Sequence, residues 1–304
     1  MRVFHTIKEV VNWRRNDVGD RRALSIGFVP TMGALHEGHA TLIRESKSQN
    51  DYTVVSIFVN PSQFAPDEDL DKYPRTLEKD IELLESLGCD ALFAPNAREM
   101  YPQGIPLDVQ QQRGPFVSVL GVSEMLEGKT RPNFFRGVAT VVTKLLNIVS
   151  PDVAYFGQKD IQQFIVLNTM VTELFMNTRL VRMPIARAPS GLALSSRNKY
   201  LCEETLEISS SIYKGLNKAA DIVKTEKSVE RSELVNAIQS IWQPHIDSAD
   251  FKVDYISIAD YTTLHELNKV DLPKKQDQVV ISCAVYVTDR ASKSVVRLID
   301  NIVL

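Results

Sequence analysis

The stretch from Leu24 to Ile43 leaves few folds open to this chain. An apolar run over Leu24 to Val29 is long enough for one buried parallel strand, and Pro30, which has no N–H for the ladder, is expected to end it. Gly33 and Gly38 then permit backbone geometry that other residues resist, and Ala40, Leu42 and Ile43 open an apolar helical pattern. A second β-branched, nearly continuous apolar run follows from Tyr52 to Val59 and stops at Asn60-Pro61. Strand, helix, strand is a βαβ unit of a parallel sheet, and the loops that follow its strands leave by one edge.

The turn between the first strand and the helix, Pro30-Thr31-Met32-Gly33-Ala34-Leu35-His36-Glu37-Gly38-His39, ends at a helix N-terminus. Free N–H groups and the positive end of the macrodipole make such a terminus an anion site, worth roughly 0.3–1 kcal/mol per charge when exposed. His36 and His39, three residues apart, fall on one side of a helical turn. Two other readings of the pair stand beside this one. They could be a metal pair, although no neighbouring carboxylate or cysteine completes a ligand set, or surface histidines without a task.

At 304 residues the chain exceeds the size at which one core usually stops growing, so two domains are expected. With 35 basic and 38 acidic residues, nothing in the charge balance calls for nucleic acid or an anionic membrane. Cys89, Cys202 and Cys283 are odd in number, widely spaced and without a CxxC, which argues against a disulfide framework or a zinc site. The N-terminus has no apolar run of signal length, and no segment approaches the ~20 apolar residues of a membrane helix. A cytoplasmic protein is expected.

Further along, residues 8–15 suggest a short helix, and the proline-punctuated segment 64–75 a loop over the sheet edge. Leu77, Ile81, Leu84 and Leu87 form a helical stripe closed by Gly88. Asp80 on that stripe reads either as a solvated or lysine-paired carboxylate or as a magnesium or ribose contact. Residues 91–94 form a short strand, residues 102–127 are irregular, and Val138 to Val149 follow a helical pattern. Pro151 to Gly157 repeats the strand-then-glycine pattern, and Gln158 to Gln163 repeats the polar helix start, with Gln163 four residues after Lys159 on one helical face. Another strand over Thr178 to Ile185 leads into a flexible, hydroxyl-rich loop, Arg187 to Asn198. Two amphipathic helices and three strands then make a smaller α+β domain. The division expected is 1–186 and 187–304.

One edge of the first domain thus gathers the two histidines, Asn60, Gln63, Gln163 and Lys159, next to a loop bearing Ser195, Ser196 and Arg197. Cations, hydroxyls and helix N–H groups suit a triphosphate, each charge-assisted hydrogen bond being worth roughly 1.5–3 kcal/mol. There is no GxxxxGK[ST] and no GxGxxG, so phosphate is held in another way. No G-x-S-x-G elbow supplies a nucleophile, which leaves direct attack of one substrate on another, with catalysis by positioning and electrostatics.

Five segments, in order, carry a family resemblance: residues 30–39; Phe58-Val59-Asn60-Pro61-Ser62-Gln63-Phe64; Tyr73-Pro74-Arg75-Thr76; Phe156-Gly157-Gln158-Lys159-Asp160-Ile161-Gln162-Gln163; and Leu194-Ser195-Ser196-Arg197-Asn198. They closely resemble the pantothenate synthetase (pantoate–β-alanine ligase) family, from near Arg22 to Asn301. The resemblance implies a Rossmann-like, nucleotidyltransferase-type parallel sheet with a smaller α+β C-terminal lid domain. It implies ATP with Mg2+, adenylation of pantoate, and capture of the acyl adenylate by β-alanine to give pantothenate, AMP and pyrophosphate. By motif position, ATP would be lined by Met32, Gly33, His36, Gly38, His39, Gly157, Lys159, Asp160, Ala186, Leu194, Ser195, Ser196 and Arg197. His39 would be the proton donor with His36 beside it, and Lys159 and Arg197 would offset charge at the phosphates. Gln63, Gln163 and Asn60 would hold pantoate and β-alanine. No protein metal site is implied beyond Mg2+ on the phosphates, with Asp80 a candidate, and a homodimer is implied by the family alone.

Two departures stand out. Where the family commonly has Arg-Pro-Gly-His-Phe, this chain has Arg131-Pro132-Asn133-Phe134-Phe135, and the stretch 104–123 is longer than in typical bacterial members, pointing to a fungal-type or other eukaryotic one. A rival is an adenylyl- or cytidylyl-transferase acting on a phosphorylated acceptor. Such acceptors call for added basic residues, whereas Gln63 and Gln163 supply amides. A catalytically idle scaffold gives no reason for both histidines, Lys159 and Arg197 to be present.

Overall fold

The computed structural model describes residues 1–18, 24–65, 70–71, 73–271 and 278–304. The chain divides into two compact units, Met1–Gly157 with Gln162–Met183, and Gln158–Ile161 with Pro184–Leu304. The short piece after residue 157 thus packs with the C-terminal residues, a crossing that a single boundary in sequence does not express. Part of the expected 64–75 loop, and Arg22, lie outside the described residues.

In the first unit the elements are β1 (Arg2–Phe4), α1 (Ile7–Asn16), β2 (Ile26–Thr31), α2 (Glu37–Gln49), β3 (Tyr52–Ile57), α3 (Leu77–Ser86), β4 (Ala91–Phe93), α4 (Ala97–Met100), α5 (Glu127–Thr130), α6 (Phe134–Val149), β5 (Val153–Gly157), α7 (Ile161–Glu173) and β6 (Arg179–Met183). Among the described residues the strands form one six-stranded sheet of order β1-β4-β3-β2-β5-β6, parallel throughout. The chain steps outward from β2 through β3 to β4, then returns to β5 on the other side of β2. The order therefore reverses between β2 and β5, and ligands of open α/β sheets bind in the crevice outside such a reversal. Val29, Ile43, Val55, Leu84, Leu92 and Tyr155 fill the core beside the sheet.

Pro30 does not end β2, which continues to Thr31. The Thr31 carbonyl accepts the Phe58 N–H, so Thr31 faces β3 and Pro30 faces β5. Pairing with β5 goes no further than Phe28, so the ladder to β5 ends where Pro30 has no N–H to donate, while the ladder to β3 runs on to Thr31. The edge strand β1, three residues long, carries no periodicity in sequence.

The second unit has α8 (Glu203–Thr225), β7 (Ser228–Glu230), α9 (Arg231–Asp247), β8 (Phe251–Asp260), β9 (Lys269–Asp271), β10 (Val279–Thr288) and β11 (Val295–Val303). An antiparallel sheet β11-β10-β8 and a small β7-β9 ribbon result. Alternate residues of β10, Ile281, Cys283, Val285 and Val287, share a core with Ile212, Leu216 and Trp242 of the helices. The expected helices and long strands are all present, while β7 and β9 were too short to register as patterns.

Within this unit Arg290 grips Asp250 through two hydrogen bonds, Nε to Oδ1 at 3.0 Å and Nη2 to Oδ2 at 2.6 Å. The guanidinium, with the Ser248 hydroxyl, holds the Asp250 carboxyl down at about 2. A carboxyl lowered on folding stabilises the fold above its unfolded pKa of about 3.9, and that contribution disappears as pH falls toward 2. Arg290→Ala is therefore expected to lower the urea midpoint at pH 6, with the gap from wild type closing between about pH 4 and pH 2. A gap that stays constant over that range would show that the pair does not carry the effect.

Candidate active site

The turn after β2 is built around one carboxylate. Gly33 and Ala34 both have positive φ, +85° and +52°, which carries the chain sharply off the sheet. A side chain at Gly33 would meet Ile57 Cγ2 at 3.1 Å and Asp80 Oδ2 at 3.2 Å. The Ala34 N–H donates to Asp80 Oδ2 at 3.0 Å and the Leu35 N–H to Oδ1 at 2.8 Å, and the Thr76 hydroxyl adds a bond at 3.2 Å. Asp80 is 3 % exposed, so it is neither the solvated carboxylate nor the lysine partner that the sequence allowed. Its oxygens are occupied by backbone donors, which also leaves it poorly placed to serve a magnesium ion or a ribose.

That turn delivers His36 to the N-cap of α2 and His39 to its third position. His36 Nδ1 accepts the Gly38 N–H at 3.1 Å, and His39 Nδ1 accepts the His36 N–H at 3.3 Å, an imidazole version of the capping box. An accepting Nδ1 puts the proton of the neutral ring on Nε2 in both residues. The rings lie 4.2 Å apart, so the expected shared face is present. Among the described residues no three His, Cys, Asp or Glu side chains gather as a metal cluster.

The loop after β3 leaves by the same carboxyl edge as the loop after β2. Asn60 caps a 3-10 turn over Pro61–Gln63 and is 1 % exposed. Its Nδ2 donates to Gln63 Oε1 at 2.8 Å and to the Gly137 carbonyl at 3.2 Å. A Cβ at Gly137 would lie 2.2 Å from the Ser62 carbonyl oxygen, so only glycine lets α6 approach this turn. Arg131 donates to the Gln63 carbonyl at 3.2 Å and lies 3.9 Å over the Phe134 ring, the residue found here in place of the family histidine. Gly157 ends β5 with open space where a side chain would stand. Gln163 sits half-buried in the first turn of α7. Gln158–Asp160 form a 3-10 turn and α7 begins at Ile161, so Lys159 and Gln163 do not share one α-helical face.

Lys159, Asp160, Ala186, Leu194, Ser195, Ser196 and Arg197 belong to the second unit. There Lys159, Ser195, Arg197, Arg297 and Asp300 line one small pocket. The segment expected to be a flexible loop is cross-tied: Leu194 N–H donates to the Ala186 carbonyl at 2.9 Å, Arg187 pairs with Asp300 at 2.6 and 2.9 Å and donates to the Gly191 carbonyl, and Ser195 caps a 3-10 turn by accepting the Arg197 N–H at 3.2 Å. Asn301, next to Asp300, donates to the carbonyls of Gln158 and Lys159, both at 2.9 Å. Lys159 Nζ lies 3.7 Å from Asp160 Oδ2. Sequence reasoning missed Asp300 and Asn301 as holders of these segments. It also missed Gln162, whose amide ties the carbonyls of Val122 and Met125 and the Glu127 N–H. Their signal was present only as polar residues inside apolar runs.

The reversal of a six-stranded parallel sheet flanked by helices defines a Rossmann-like α/β protein. The family model described as pantoate-beta-alanine ligase matches residues 2–303. The chain is 64% identical over 309 residues to the pantoate–β-alanine ligase of Saccharomyces cerevisiae, and 45% identical over 305 residues to the pantothenate synthetase of Thermosipho africanus, with 100% of both chains covered in each case. Among solved structures, the pantothenate synthetase of Thermus thermophilus matches with a TM-score of 0.83 at 37% identity, over 99% of each chain. The Francisella tularensis pantoate–β-alanine ligase, complexed with beta-gamma ATP and β-alanine, matches with a TM-score of 0.74 at 36% identity, over 100% of this chain and 97% of that one. The chain belongs to the pantoate–β-alanine ligase family.

Asp80→Ala leaves two backbone donors of the histidine turn without partners. It is expected to cost about 1–3 kcal/mol in urea unfolding, with Asp80→Asn, which keeps one acceptor, costing less. An unchanged midpoint for the alanine variant would remove Asp80 as the anchor of the turn.

Proposed function

We propose that this chain joins pantoate to β-alanine at the expense of ATP. Pantoate's carboxylate attacks the α-phosphorus of ATP, the bond to the β-phosphate oxygen breaks, and pyrophosphate leaves. The amine of β-alanine then attacks the acyl carbon of the adenylate, a proton is lost from nitrogen, and AMP departs to give pantothenate. The observation that carries the reading is the match to the ligase family over residues 2–303, with the motif histidines found at the start of α2 beside the sheet reversal.

In this reading Met32, Gly33, Gly38 and Gly157 give the nucleotide close backbone approach, and His36 and His39 offer Nε2–H hydrogen-bond donors, that of His39 going to an oxygen of the departing pyrophosphate without transfer of the proton. Gln63 and Gln163 orient the acid. A neutral amide can do so without drawing off the negative charge that makes the carboxylate nucleophilic. Lys159 and Arg197, with Asp160, Ala186, Leu194, Ser195 and Ser196, serve the phosphates, and charge-assisted bonds there strengthen as charge moves onto the departing pyrophosphate. Mg2+ would be held by the phosphates of ATP and would offset their charge. Asp80 does not fit it, because backbone donors occupy its oxygens. A homodimer, on the family resemblance alone, and a cytoplasmic location also belong to this reading.

Pyrophosphate release that depends on both ATP and pantoate, with pantothenate formed once β-alanine is added, is the expected result. Release that requires a phosphorylated acceptor instead would favour a nucleotidyl transfer. His39→Ala is expected to lower kcat by roughly 10²–10⁴-fold, and turnover close to wild type would remove its catalytic role. Lys159→Ala should slow adenylation in single-turnover assays and spare capture of preformed adenylate by β-alanine. The opposite pattern would reassign the lysine.

A further inference from the structure

Gln63 has an amide whose two ends are not equivalent in this protein. The Gly137 backbone carbonyl can only accept, so the atom of Asn60 that faces it at 3.2 Å is its nitrogen. The same nitrogen faces Gln63 at 2.8 Å, which requires the Gln63 atom there to be its oxygen, Oε1. The other end of Asn60 is closed in a matching way. Its Oδ1 accepts the Tyr101 hydroxyl at 2.8 Å and the Ser62 hydroxyl at 3.0 Å, and the two hydroxyls are themselves 3.0 Å apart.

Tyr101 is well held. It sits at the end of α4, 5 % exposed, with its ring centroid 6.4 Å from that of Phe58 and 3.7 Å from Lys144 Nζ, and that ammonium is fixed in turn on the Met100 carbonyl at 2.7 Å. Burial raises the phenol's pKa, so the hydroxyl keeps its proton. A rigid donor at Oδ1 and a rigid acceptor at Nδ2 leave Asn60 one orientation, and Asn60 leaves Gln63 one orientation.

We propose that Tyr101 is a positioning residue for the acid substrate: through Asn60 it turns Gln63 so that the amide nitrogen, rather than the oxygen, meets the ligand. Gln63 then recognises an acceptor, which for a hydroxy acid is a carboxylate or hydroxyl oxygen, and gives no acceptor in return. Asn60 serves as the link in this chain of bonds and makes no substrate contact of its own. The inference rests on the assignment of Gln63 to pantoate made above.

The experiment is a double-mutant cycle on the full-length enzyme, read as the KM values for pantoate and for ATP. Tyr101→Phe keeps the ring in its place and removes one hydrogen bond, so pantoate KM is expected to rise about threefold to tenfold with ATP KM unmoved. In a Gln63→Ala background the same change should have no further effect on pantoate KM, because the group it orients is gone. An equal rise in both KM values, or an undiminished rise in the Gln63→Ala background, overturns the proposal. Should Gln63→Ala itself leave pantoate KM at the wild-type value, the assignment of Gln63 to the acid is what fails.

Discussion

The paired imidazoles depend on a backbone that would not hold its shape alone. Two successive residues at positive φ, one of them alanine, cost energy that a free loop would relax. Asp80, reaching from α3, takes the N–H groups of Ala34 and Leu35 on its two oxygens and makes the turn the favoured state. Once the turn is fixed, His36 has no choice but to cap α2, and the cap fixes His39. A ring whose Nδ1 already accepts a backbone N–H has its tautomer decided before any substrate arrives, which is the sense in which this site is preorganised.

The same construction recurs at the other site segments. Chemistry-bearing residues lie on short turns, and each turn is tied by a buried polar side chain from a remote part of the sequence. Asn301 holds the carbonyls of Gln158 and Lys159, its neighbour Asp300 holds Arg187, and Gln162 holds the stretch from Val122 to Glu127. Burying such groups is costly unless their bonds are complete, and these side chains meet that condition on two or three sides. Their rigidity is local, which lets each unit keep its own residues in place by its own bonds.

The sequence made the layered part of this fold legible and the ties illegible. Apolar runs and helical stripes locate β2, β3, β5, α6, α8 and β10, because burial in a parallel or central strand or under an amphipathic helix leaves a period in the residue types. Pro30 misled because a strand's two sides are not equivalent: its missing N–H ends the ladder to β5 and leaves the ladder to β3 intact. The motif residues were legible through family resemblance, yet nothing local reveals that Asp80 is buried. A carboxylate at one position of an amphipathic helix looks the same whether it faces water or two N–H groups supplied from 45 residues away in the chain. The 3-10 turn at Gln158–Asp160 was hidden for a related reason, since its residues pack with C-terminal ones and helical spacing was read straight through it.

The distribution of charge fits a two-step ligation better than a simple anion trap. The turns of the first unit offer imidazoles, amides and backbone N–H groups, while Lys159 and Arg197 line a pocket of the second unit beside Arg297, which Asp254 already matches. A cation held about 4 Å from a carboxylate is worth about 4 kcal/mol near a protein surface, and that attraction would stabilise the attacking acid before it reacts. Stabilising a nucleophile's ground state slows its attack, whereas stabilising the leaving phosphates speeds departure. In the ligation proposed for this chain, neutral donors for the acid and cations for the phosphates would lower the barrier to adenylation from both ends. The second step asks for no cation at all, since an amine attacking an acyl carbon needs alignment and an acceptor for its proton, which a phosphate oxygen of the departing AMP can be.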